Sequence, residues 1–147
     1  MTRPGTPRTI LVRRGRREVV CLMVKPIRIL IVEDHENLRE AIVSQFEPHP
    51  DFAVVGQAAS LEQARSMLAG VDLVLLDLGL PDGCGLELLP ELRAASPGVL
   101  VLVLSAAYDP AMGETVIERG ASAYLDKVVH LSKVAEITRR ILSDGRP

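Results

Sequence analysis

The sequence predicts an α/β protein built on a parallel sheet with helices on both faces. Three observations carry this reading. Five short apolar runs alternate with five segments of helical period between residues 27 and 142, the pattern of repeated strand–helix units. The runs are nearly continuous Ile, Leu and Val rather than apolar–polar alternations, as strands buried on both faces require. The supply of core residues is aliphatic, since 48% of the 147 residues are hydrophobic but Trp is absent and Phe and Tyr occur twice each. Short loops and right-handed crossovers favour a doubly wound sheet, while the alternation alone leaves the strand order open.

The elements follow in order. Ile27-Arg28-Ile29-Leu30-Ile31-Val32 reads as a buried strand ending on Glu33-Asp34. Residues 37–47 place Leu38, Ala41, Ile42, Gln45 and Phe46 at helical spacing, stopped by Pro48 and Pro50. Residues 52–58 form the second strand. Ser60 caps a helix that runs to Leu68 and ends near Gly70. Leu73-Val74-Leu75-Leu76 is the third strand and delivers Asp77 to its end, where Pro81-Asp82-Gly83 turns the chain away. Residues 86–95 form a helix between Gly85 and Pro97, and residues 99–104 a fourth strand ending on Ser105-Ala106. A short helix over 110–119 closes at Gly120. A fifth strand over 123–125 ends near Lys127, and the last helix covers 131–142.

Charge divides the chain in two. Residues 1–25 carry seven basic side chains against one acidic, whereas residues 26–147 carry ten basic and eighteen acidic. Residues 1–25 are expected to be a basic, mostly disordered extension, and residues 26–144 the folded domain. Six arginines within 1–22 make a nucleic-acid-binding arm conceivable, but a dispensable extension is favoured, with Met23 as an alternative natural start. No apolar run reaches the roughly 18 residues of a membrane span, and no secretory signal is recognisable. Cys21 and Cys84 have no disulfide or zinc spacing, which fits a cytoplasmic protein.

The chemistry lies at the strand ends. Glu33-Asp34, Asp77, Ser105 and Lys127 follow the first, third, fourth and fifth strands, the edge at which open α/β sheets bind ligands. Carboxylates this close repel by about 4 kcal/mol per pair at an effective dielectric near 20, so the cluster calls for a cation or a shared proton. Oxygen donors suit Mg²⁺ or Mn²⁺ and disfavour zinc. A carboxylate nucleophile, a metal, a hydroxyl and a lysine together form a place to hold a phosphoryl group.

Glu33-Asp34, Asp77 with Leu80-Pro81-Asp82-Gly83, Ser105-Ala106, and Tyr124 three residues before Lys127 resemble the receiver domain of two-component response regulators over residues 27–143. The resemblance implies a flavodoxin-like five-stranded parallel sheet of order 2-1-3-4-5 with five helices. It implies that Asp77 accepts a phosphoryl group from a sensor histidine kinase. Glu33, Asp34, Asp77 and the Gly79 backbone carbonyl would hold Mg²⁺, with Mn²⁺ as a substitute. Lys127 would pair with a phosphoryl oxygen, Ser105 would move to hydrogen-bond it, and Tyr124 would swing inward. The domain would act as a phosphoacceptor that assists its own phosphorylation and dephosphorylation rather than as an enzyme. Its output would be an unidentified downstream protein meeting the fourth helix, fifth strand and fifth helix, with a homodimer compatible and no direct DNA or membrane binding.

Local sequence such as Gly120-Ala121-Ser122-Ala123-Tyr124 resembles receivers that carry LuxR-type output domains. Because the chain stops at Pro147, the expectation is a stand-alone receiver, with a fragment of a LuxR-type DNA-binding regulator as the alternative. An aspartate-nucleophile phosphatase of the haloacid dehalogenase type would need a second aspartate where Gly79 stands, and a Rossmann domain would need a glycine fingerprint after the first strand. His35 reads as a polar loop residue rather than a phosphotransfer site, and Cys84 as a small loop residue. Val128-Val129 after Lys127 leaves the local peptide geometry, including a cis bond, open. Small residues at Gly79, Ala106 and Ala107 suggest a phosphoryl lifetime that is not exceptionally long.

Overall fold

A computed structural model describes residues 8–13, 15–17, 19–107, 109–127 and 131–144. The central sheet is made of β3 (Ile27–Val32), β4 (Phe52–Ala58), β5 (Leu73–Asp77), β8 (Leu100–Ser105) and β9 (Ala123–Asp126). Its order is β4-β3-β5-β8-β9 and every pairing is parallel. Counted within the sheet this is 2-1-3-4-5, as the resemblance implied. Five α-helices are described: α1 (Glu36–Phe46), α2 (Leu61–Arg65), α3 (Leu89–Ala95), α4 (Pro110–Glu118) and α5 (Val134–Asp144).

The two-residue period of a strand sends alternate side chains to opposite faces, and the sequence uses it to build two cores. Leu30, Val74, Leu76, Val101 and Val103 join Leu61, Leu89, Leu92 and Val116 under α2, α3 and α4. Ile29, Ile31, Leu73, Leu75, Leu102 and Leu104 join Ile42, Phe46, Val134 and Ala135 under α1 and α5. The sheet is thereby covered on both faces, most completely over β3, β5 and β8.

Several expectations are corrected. α2 stops at Arg65 rather than Leu68. The helix expected over 86–95 divides into a 3-10 turn, Gly85–Leu88, and α3, whose second residue is Pro90; proline suits a helix start but not its interior. The last helix likewise begins as a 3-10 turn, Leu131–Lys133. A two-residue antiparallel pair, β6 (Gly79–Leu80) with β7 (Gly83–Cys84), folds the loop after β5 back on itself.

The disorder expected over most of residues 1–25 does not hold for its described part. β1 (Arg8–Arg13) and β2 (Val19–Val24) pair as an antiparallel hairpin, with Arg8 opposite Val24 and Arg13 opposite Val19. The Ile10-Leu11-Val12 and Val19–Val24 runs have strong strand preference, and Gly15 takes the positive φ of 90° that the connection uses. Residues 1–7, 14 and 18 lie outside the described residues, as do 128–130, on which the peptide geometry after Lys127 depends.

Candidate phosphoacceptor site

Strand register assembles the site. Val32 pairs with Leu76, so the next residues, Glu33 and Asp77, emerge side by side from adjacent strands. Asp77 in turn lies opposite Leu104, and Ser105 opposite Asp126. Glu33, Asp77, Lys127 and Ser105 are 1%, 7%, 7% and 8% exposed, so this polar group is set into an otherwise apolar sheet.

Lys127 binds the two acids together. Its Nζ lies 2.7 Å from Glu33 Oε1 and 3.1 Å from Asp77 Oδ1. The Gly79 N–H donates to Asp77 Oδ1 at 3.3 Å. One ammonium faces two buried carboxylates, an imbalance that favours a proton on one of them. Burial, and then the hydrogen bond with Asp77, push the Glu33 pKa up to about 8. Burial also acts upward on Asp77, but the hydrogen bond with Glu33 and the Lys127 charge outweigh it and leave Asp77 below the ordinary carboxylate range. At neutral pH the acid at the end of β5 is the anion, as a nucleophile must be.

Asp34 is half-buried beside this pair. Glu33 Oε2 and Asp34 Oδ1 are buried with no hydrogen-bond partner. Glu33, Asp34 and His35 each bring a ligand atom within 4.8 Å of the others. Buried carboxylate oxygens without donors are costly, and hard oxygen donors of this kind fit a divalent cation such as Mg²⁺ or Mn²⁺. Asp77 is not one of that trio; it meets the group through Glu33 and Lys127. His35 is the N-cap of α1, yet its side chain makes no capping hydrogen bond and its Nδ1 stands 3.3 Å from Asp34 Oδ1.

Ser105 and Tyr124 are hydrogen-bonded to the segment between β8 and α4. Ser105 Oγ donates to the Ala107 carbonyl at 2.9 Å. Tyr124 OH accepts the Asp109 N–H at 3.2 Å, from the N-cap of α4. Three supports went unread in the sequence. Asp82 accepts the N–H groups of Leu61 and Glu62, at 2.8 and 3.0 Å, and so caps α2 from the loop after β5. Gly85 passes so close to the end of β5 that a Cβ there would overlap the Asp77 carbonyl, and its N–H donates to Leu78 O at 2.8 Å. Arg39 Nη1 donates to the Glu33 carbonyl at 2.8 Å, pinning the acidic turn to α1. An aspartate inside a Pro-Asp-Gly turn gives no local sign that it caps a distant helix, so only the folded chain reveals that role.

Residues 29–139 match the family model of the response regulator receiver domain. The chain belongs to the response regulator receiver family. Among curated relatives, this receiver is 36% identical over 105 residues to the nitrate/nitrite response regulator protein NarL of Escherichia coli, covering 70% of this chain and 49% of that protein. It is 33% identical over 122 residues to the DNA-binding transcriptional activator DevR/DosR of Mycobacterium tuberculosis, covering 81% of this chain and 54% of that protein. The receiver thus spans about half the length of the curated relatives it matches. A LuxR-family two-component response regulator from Aurantimonas superposes with a TM-score of 0.74 at 28% identity, covering 82% of this chain and 88% of that one. Receivers take part in two-component phosphorelay signalling and bind Mg²⁺ at an acidic pocket. Among the described residues, no helix is long and apolar enough to cross a membrane.

Proposed function

We propose that residues 26–144 form a receiver that takes a phosphoryl group onto Asp77 from a sensor histidine kinase and thereby switches a protein-binding face. The observation that supports this best is the buried Glu33–Lys127–Asp77 contact at the strand ends, in which Asp77 is the carboxyl group held toward its ionised form. In the transfer, an Asp77 carboxylate oxygen forms a bond to phosphorus as the phosphorus–nitrogen bond of a phosphohistidine breaks. The imidazole nitrogen leaves with the bonding pair. Lys127, already 3.1 Å from Asp77 Oδ1, pairs with a phosphoryl oxygen. Glu33, Asp34, Asp77 and the Gly79 carbonyl would hold the divalent cation, which supplies positive charge against the incoming phosphoryl oxygens.

The phosphoryl group adds roughly −1.5 to −2 charge and needs new donors. Ser105 supplies one by exchanging its bond to Ala107 O for a phosphoryl oxygen. Tyr124 then leaves α4, and the surface of α4, β9 and α5 is altered. That surface carries exposed Met112 and Ile117 beside an open groove of about 550 Å³, suited to a downstream protein. DNA binding is stated in the name of the DevR/DosR relative and is not part of this proposal. Fluorine NMR with beryllofluoride and Mg²⁺ tests the reading. A bound signal in the wild type that disappears in Asp77→Asn is expected; an equal signal in both would place the phosphoryl mimic elsewhere.

A further inference from the structure

Gly113 is the fourth residue of the nine-residue helix α4. Glycine inside a helix costs stability relative to alanine, because it loses more backbone freedom on folding. Here the absent side chain is filled by a neighbour. An ideal Cβ at position 113 would lie 2.8 Å from Tyr124 Cδ1, 3.3 Å from its Cε1 and 3.7 Å from its Cγ. The near side of the phenol ring, not its flexible end, occupies that space, so the ring would have to shift as a body. The same ring is held at its far end, where the hydroxyl accepts the N–H of Asp109. Asp109 is the N-cap of α4, with Oδ1 accepting the Ala111 N–H at 3.1 Å, and its carbonyl accepts the Gly113 N–H at 2.9 Å. Tyr124 therefore lies along the first turn of α4, seated on Gly113 and tied to the cap. Tyr124 and the α4 residues Pro110, Gly113, Glu114, Ile117 and Glu118 together line one open groove.

We propose that Gly113 is a positioning residue: it admits the outward seat of Tyr124 on α4 and so sets how readily this receiver leaves its resting state. The part concerning activation rests on the reading that Tyr124 moves inward when Asp77 is phosphorylated. A side chain at 113 destabilises only the outward ring. It therefore shifts the population toward the state that holds the phosphoryl group, and apparent affinity for a phosphoryl mimic rises by the same factor.

The test uses the full chain with Tyr108→Phe, which leaves one tyrosine. Gly113→Ala is compared with the parent by urea denaturation, in the presence and absence of Tyr124→Leu, and by NMR of the Tyr124 ring without phosphoryl donor. Both proteins are then titrated with beryllofluoride in Mg²⁺. Three results are expected. Gly113→Ala stabilises the protein that also carries Tyr124→Leu, but not the one that keeps the tyrosine. It moves the Tyr124 ring resonances. It raises beryllofluoride affinity roughly three- to tenfold. Equal stabilisation in both backgrounds with unmoved ring resonances would overturn the seat. A moved ring with unchanged or weaker beryllofluoride affinity would overturn its control of the resting state. If the parent itself binds no beryllofluoride, the phosphoacceptor reading fails instead, and the seat is decided by the stability and ring measurements alone.

Discussion

Glu33 is the residue on which the site's electrostatics turn. Its pKa is raised from 4.5 to about 8 chiefly by burial and by the bond to Asp77, while Lys127 offsets only part of that. An acid whose pKa is raised by folding binds more protons in the native than in the unfolded state between those two values, so stability falls as pH rises through that window. Asp77, shifted the other way, is ionised in both states there and leaves the slope to Glu33. In a metal chelator, urea midpoints should therefore decline between about pH 4.5 and pH 8, and Glu33→Gln should flatten that decline. A slope unchanged by the substitution would assign the proton elsewhere. Ser105 and Tyr124 make the complementary point. Each has a partner in the loop from β8 to α4, so the switch begins from formed bonds rather than from free side chains.

At the scale of elements, side chains from distant segments fix the helices around the sheet. α2 has only five residues, too few to persist alone, and is held by Ser60 Oγ on the Gln63 N–H and by Asp82 on the Leu61 and Glu62 N–H groups. Asp82→Ala should speed amide exchange at Leu61 and Glu62 while leaving exchange in β3 and β5 unchanged; unaltered exchange at Leu61 would show that the cap is dispensable. α5 is fastened differently. Arg139 makes a two-pronged pair with Asp51, at 2.7 and 2.6 Å, contacts His49 Nδ1 at 2.8 Å and lies over the Phe52 ring. The Arg139 hydrogen bonds hold Asp51 below its ordinary pKa of 3.8. A lowered acid contributes stability above its unfolded pKa and loses it as pH falls through the folded value. Asp51→Asn should therefore destabilise at pH 7, and by less as pH falls below about 3.8, as read from urea midpoints. Both groups are partly exposed, so solvent screening keeps the effect modest.

For the whole molecule, what could be read in the sequence follows from which forces are local. The five strands were legible because burial on both faces leaves continuous Ile, Leu and Val. The site was legible because a parallel sheet brings its strand ends to one edge, placing Glu33, Asp77 and Lys127 together once the elements were in order. Their strand order was not, since crossover direction leaves no local mark; it came through the resemblance. The hairpin of β1 and β2 was missed because arginines and prolines around Ile10-Leu11-Val12 outweighed its strand preference. Asp82 and Arg39 were missed because a cap or anchor supplied from elsewhere in the chain follows no spacing rule. The 3-10 starts before α3 and α5 were missed because the apolar period continues across them.

The most direct test of the account is intact-mass spectrometry after incubation with acetyl phosphate and Mg²⁺, beside Asp77→Asn and a chelated control. The account predicts a gain of one phosphoryl group, about 80 Da, in the wild type and in neither control. No gain in a folded, Mg²⁺-binding wild type, or a gain that survives Asp77→Asn, would contradict it.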